Sequence, residues 1–217
     1  INTGNYNVAI GVAALQSITD DSNNVAVGYR SLYNSTVSNN TAVGRDALFA
    51  NTTGASNVAV GGNSLDANTT GAYNTAVGYN ALGENTTANS NTAVGNACLD
   101  ANTTGSENTA VGQGALTSNT TASNNTAIGS NALLSNTTGG SNVAIGHDSM
   151  ESTNSSDNVA VGMETMKSNS TGDKNTAIGW QALYANTTGD RNTAVGYGAL
   201  DANTTGALNT AIGYNSM

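Results

Sequence analysis

The pentapeptide Asn-Thr/Val-Ala-Val/Ile-Gly occurs thirteen times, first at Asn7 to Gly11 and last at Asn209 to Gly213, and no other feature of the chain restricts its folding so strongly. Successive asparagines stand seventeen residues apart, except for two steps of sixteen, from Asn24 to Asn40 and from Asn142 to Asn158. A fixed short period of this kind belongs to solenoids and stacked arrays, in which each repeat contacts its neighbours and length counts coils. The expectation is one repeat array over residues 1–217, in which 1–6 end a preceding repeat and 209–217 make an incomplete last one. The chain then reads as a piece of a longer array.

Numbered from its asparagine, the repeat is Asn-Thr-Ala-Val-Gly-x-x-Ala-Leu-x-x-Asn-Thr-Thr-Gly-x-x. Position four is always Val or Ile and position nine always Leu or Met, so these two are expected to form the core ladders. A β-branched residue at four, with Thr or Val two before it, suits a short strand whose alternate side chains point inward. Position ten carries Asp66, Asp100, Asp201, Glu151, Lys167, Tyr33 and Tyr184. It must face outward, which sends nine and eleven inward on a second strand. Gly at five and Thr-Gly at fourteen and fifteen supply turns, so one coil is predicted to be strand, turn, strand, turn. Proline is absent, as expected where nearly every backbone N–H bonds to a neighbouring coil. A helical reading fails on the density of Gly, Asn and Thr.

If two and four face in, then one, three and five face out, yet they read Asn, Ala and Gly in all thirteen repeats. Two readings account for this. Either the Asn-Ala-Gly face is covered by another copy or another sheet, or the asparagines form an internal corner ladder and alanine is small enough for a tight roll. The covered face is the expectation taken forward. It makes subunit contacts of Ala9, Ala26, Ala42, Ala59, Ala76, Ala93, Ala110, Ala127, Ala144, Ala160, Ala177, Ala194 and Ala211.

Charged residues make up only 9% of the chain and the net charge is −9, so phosphate backbones and anionic lipid are poor partners. No apolar run approaches the ~20 residues of a membrane span. One cysteine, Cys98, excludes an internal disulfide framework, and with one histidine, His147, no catalytic constellation can be assembled. No catalytic, cofactor or metal site is expected, and acidic residues do not follow the spacing of calcium-binding rolls. Trp180, Tyr197 and Tyr214 share position six in three successive coils. Such a row either docks a sugar ring or stacks upon itself, and it is the one candidate ligand contact. The Asn-Thr-Thr segments, as in Asn68-Thr69-Thr70, form threonine ladders that offer a regular hydroxyl array to ice. Thirteen Asn-x-Ser/Thr sequons, including Asn51, Asn102 and Asn186, are read as composition, because glycans are wider than one coil.

The pentapeptide as it stands at Asn142-Val143-Ala144-Ile145-Gly146 resembles the repeat of trimeric autotransporter adhesin heads, the YadA-like family. The longer form at Asn74-Thr75-Ala76-Val77-Gly78-Tyr79-Asn80-Ala81-Leu82 is similar to arrays in phage tail fibres and other surface fibres. The resemblance covers the whole chain; the period here is longer, by the Asn-Thr-Thr-Gly turn. It implies a left-handed parallel β-roll, three of which pack side by side, with the alanines above near the subunit contacts.

The expected fold is therefore all-β, a parallel β-solenoid of about thirteen seventeen-residue coils, left-handed and packed as a trimeric fibre. The expected function is that of a non-enzymatic structural or adhesive fibre, the shaft or head of an extracellular, cell-surface or virion-surface assembly. Its partners would be copies of itself and a host-surface glycan or protein, with no nucleic acid, no membrane insertion and no cofactor. The alternative is an ice-binding or glycan-binding β-solenoid.

Overall fold

A computed structural model of the chain describes residues 4–217. Residues 1–3, part of the expected preceding repeat, lie outside the described residues. The chain forms a parallel β-solenoid with one three-residue strand per repeat and, among the described residues, no helix. One compact unit runs up to Glu107 and a second from Asn108 to Met217. The first holds β1 (Val8–Ile10), β2 (Val25–Val27), β3 (Thr41–Val43), β4 (Val58–Val60), β5 (Thr75–Val77) and β6 (Thr92–Val94). The second holds β7 (Thr109–Val111), β8 (Thr126–Ile128), β9 (Val143–Ile145), β10 (Val159–Val161), β11 (Thr176–Ile178), β12 (Thr193–Val195) and β13 (Thr210–Ile212). Within each unit every strand pairs in parallel with its sequence neighbour, alanine level with alanine, as Ala59 with Ala76 and Ala127 with Ala144.

The facing of the strand is the reverse of the expectation. Ala26, Ala42, Ala59, Ala76, Ala93, Ala110, Ala127, Ala144, Ala160, Ala177 and Ala194 are fully buried and Ala211 is 5% exposed. Only Ala9, on the first strand, is exposed. The Val or Ile at position four and the Thr or Val at position two are half-buried or exposed in every coil. The alanines therefore line the coil's own interior and cannot serve as subunit contacts through their side chains.

The reason is cross-section. Leu or Met at nine fills the interior from the far side, Ala or another small residue at eight lies beside it, and asparagines at positions one and twelve project into what remains. A β-branched side chain at position three has no room. The internal corner ladder, the second of the two readings, is what the structure contains.

Asparagines at both positions are buried and hydrogen-bonded. Asn74 Oδ1 accepts the Asn91 backbone N–H of the next coil at 2.9 Å, and its Nδ2 donates to the Ala88 carbonyl of its own coil at 2.8 Å. At position twelve, Asn68 Nδ2 donates to Gly71 O at 3.0 Å and to Asn51 Oδ1 of the coil before at 2.8 Å. One ladder thus ties coil to coil through the backbone, and the other staples the Asn-Thr-Thr-Gly corner. The two sixteen-residue coils both shorten that corner and both lose its asparagine. In one, Thr153 and Ser155 replace it, Ser155 Oγ accepting from Asn158 and Asn169 at 2.8 Å each. In the other, Ser35 Oγ is buried without a partner.

Among the described residues no second strand forms. Positions six to eleven run as consecutive turns in which position nine holds a left-handed conformation, with φ of 53° at Leu82 and 54° at Leu133. A bulky residue there costs on the order of 1–2 kcal/mol. It is retained because the same residue gives both a buried side chain and a bond to the next coil, such as Leu82 N–H to Cys98 O at 3.0 Å. Position ten faces outward as expected, but position eleven is half-buried or exposed in every coil.

Position five must be glycine. Gly78 has φ +142° and a Cβ built on it would stand 2.2 Å from the Gly95 carbonyl oxygen.

Replacing Asn74 by Ala strands the buried Asn91 N–H, while the Ala88 carbonyl keeps a bond from Asn85 Nδ2 at 3.3 Å, and at ~1–3 kcal/mol for an unsatisfied group should lower stability by roughly 1–3 kcal/mol in urea unfolding. Asn96, exposed at position six, is the control, and its replacement by Ala should leave the midpoint unchanged. Gly78→Ala should be at least as damaging as Asn74→Ala, since backbone cannot yield as a side chain can.

Candidate interaction surface

The outward strand face is the most regular surface on the molecule. At position four, Val94, Val111, Ile128, Ile145 and Ile178 are 36–42% exposed although each sits within a paired strand. At position two, Thr41, Thr75, Thr92, Thr109 and Thr126 alternate along the chain with Val25, Val58 and Val143. Within each unit, restricted χ1 rotamers and in-register pairing hold these side chains in two ranks, about 4.8 Å apart along each rank. No charged residue interrupts either rank. Sequence reasoning missed this face because hydropathy sent Val and Ile inward.

Of the predicted contacts, Trp180, Tyr197 and Tyr214 do come together. Trp180 meets Tyr197 edge-on, 4.8 Å between centroids at 76°, and Tyr197 stacks on Tyr214 at 4.9 Å and 12°. The three rings thus form one contiguous row, and each keeps an exposed part, 40%, 38% and 75% in chain order. One coil before Trp180, Glu164 accepts from Gln181 Nε2 at 2.9 Å. The Gln181 bond does most to hold the Glu164 carboxyl below its usual range.

Glu164 belongs to an ion network centred on Lys167, whose Nζ lies 2.8 Å from Asp148, 3.3 Å from Glu151 and 3.5 Å from Glu164. Burial by itself would raise the Asp148 carboxyl, but hydrogen bonds from Lys167 and Asn131 outweigh it and hold the group low. The Asp148 bond in turn raises the Lys167 ammonium. His147 is an exposed turn residue with Nδ1 3.5 Å from Asp148. A second cluster surrounds Arg30, paired to Asp46 at 2.8 Å and lying over the rings of Tyr29 and Phe49.

The threonine ladder at position thirteen is hydrogen-bonded along the array, while Thr53, Thr70, Thr87 and Thr104 at position fourteen are exposed. Thr52, Thr69 and Thr86 each donate their hydroxyl to the carbonyl of the equivalent threonine one coil on, at 2.9 to 3.1 Å. Sequon residues Asn51, Asn102 and Asn186 are fully buried, their amides donating to Gly54, Gly105 and Gly189 at 2.9 to 3.0 Å. Cys98 is buried at position eight, and burial pushes its thiol up to about 12. Among the described residues there is no cavity and no group of three or more His, Cys, Asp or Glu placed to hold a metal ion.

Asp66 and Asp100 share outward position ten, and Glu84 lies beside them at position eleven. Desolvation, chiefly, and the charges of Glu84 and Asp100 push the Asp66 carboxyl up to about 6 from an ordinary 3.8. The folded state therefore holds this proton more tightly than the unfolded chain, and the Asp66 contribution to stability is lost as pH rises from about 4 through 6. Asp66→Asn should make the chain more stable than its parent at pH 7 and indistinguishable from it near pH 4, as read from denaturation midpoints across that range. No protein-family model, curated protein or solved structure matches the chain.

Proposed function

We propose that the chain is a non-enzymatic structural and adhesive fibre protein, a stacked spacer or head whose copies associate through the outward strand face. The observation that carries this is the constancy of exposed side chains. Exposed position six runs through Tyr29, Arg45, Asn96, Gln113 and Met163, and position ten varies as widely. Position four, just as outward, is Val or Ile in all thirteen coils. Strand propensity alone would admit Thr there, as it does at position two in eight coils of thirteen, so the constraint at four is on being apolar. A row of half-exposed aliphatic side chains without one charge is the surface a second copy would cover.

The resemblance to adhesin heads and tail fibres adds three chains, a left-handed roll and a place on a cell or virion surface, with attachment to a host glycan or protein as the work. In a three-chain packing each threonine rung meets its two equivalents, and three hydroxyls can donate and accept in a ring. That removes the cost, about 1–3 kcal/mol each, of burying them unpaired.

Sedimentation of the unsubstituted chain should show a trimer, and a stable folded monomer would overturn the proposal. Ile128→Arg combined with Ile145→Arg should give a monomer with an unchanged circular-dichroism spectrum, because both side chains point away from the coil. Ala127→Arg should instead unfold the coils around it.

A further inference from the structure

A periodic face can bind a second copy but cannot tell it where to stop. Sliding one copy past another by one coil brings Val or Ile onto Val or Ile again, and in the second unit gives up one rung in seven. Register is weakly specified wherever a pattern repeats itself. Only non-periodic side chains beside the face can fix it. Position six is the nearest such place, separated from outward position four by a single glycine.

Most coils carry unrelated residues there, among them Gln113, Ser130 and His147. Three successive coils carry Trp180, Tyr197 and Tyr214, which are 40%, 38% and 75% exposed. One rung of strand face, three residues at ~3.3 Å by a spacing of ~4.8 Å, offers on the order of 50 Å². A fully covered aromatic side chain buries ~150–250 Å², so at these exposures each ring has about one to four rungs' worth of surface left to bury. Three rings matched to their equivalents outweigh the single rung that a slip gives up. The row is also preorganised, since Trp180 meets Tyr197 edge-on at 4.8 Å and Tyr197 stacks on Tyr214 at 4.9 Å.

We propose that the Trp180–Tyr197–Tyr214 row is a register lock between copies of this chain, each row meeting the same row of a neighbouring copy. The proposal rests on the strand-face association above. It assigns the aromatic row a partner, a second copy, and a task distinct from holding its own coil together.

The test places single cysteines on the outward face in a Cys98→Ala background, Ile128→Cys in chains with one tag and Ile145→Cys in chains with another. The two positions are one coil apart in the same unit. Chains are refolded together, oxidised, and the crosslinks read by mass spectrometry. With the aromatic row intact, 128-to-128 and 145-to-145 links should dominate. With Trp180, Tyr197 and Tyr214 all replaced by Gln, a residue the same position carries at Gln113, the 128-to-145 link should rise from a minor product to parity. The same product ratio in both backgrounds, or parity before any ring is removed, would overturn the register lock. A monomer by sedimentation, or an oligomer that forms none of these links, would instead overturn the strand-face association.

Discussion

A buried amide in every coil is the constraint on which the rest of the structure depends. Asparagine is among the few side chains that can accept one hydrogen bond, donate others and still fit beside alanine. At position one it does so between coils, and at position twelve within a corner. Through the interior coils each amide is hydrogen-bonded in a region closed to water, where an unpaired polar group is costly and a paired network is strong. Once two asparagines and a leucine occupy so narrow an interior, the strand can turn only a methyl group inward. The alanine face, the tight roll and the outward Val and Ile all follow from that.

The same narrowness explains the backbone. Coils that rise by one strand spacing bring carbonyl oxygens close to the next coil at position five, and only a residue without Cβ can stand there. The left-handed leucine at position nine is a local strain accepted for a global gain, because its side chain and its N–H are both wanted. A single coil could afford neither device. Stacking makes each rung's strain repeat alongside each rung's hydrogen bonds, so the array is stable where its unit is not.

A molecule that turns its small residues inward must carry its larger aliphatic ones outside. That inversion gives the surface its functional character, a flat strip of β-branched side chains bordered by a row of unlike ones. The strip is periodic and the border is not, and these are complementary properties for a chain that meets copies of itself. Charged residues gather elsewhere, in the Lys167 network beside the shortened coil and in the Arg30 cluster.

The period, the parallel β-solenoid, a short strand at the pentapeptide, a turn glycine at five, buried Leu at nine and outward position ten were all legible in the sequence, because stacking identical units leaves hydrogen bonding and side-chain parity little freedom. That Trp180, Tyr197 and Tyr214 touch one another was legible, since a shared position fixes neighbours, whereas ring orientation was left open. What the sequence could not decide was which side of the strand faces in. Parity places Thr75 and Val77 on one side and Asn74 and Ala76 with the other set, but it assigns neither set to the interior. Hydropathy chose Val77. The tertiary structure chose Ala76, because facing depends on how much volume the other side of the coil leaves, and Leu82, Asn74 and Asn85 leave room only for a methyl group.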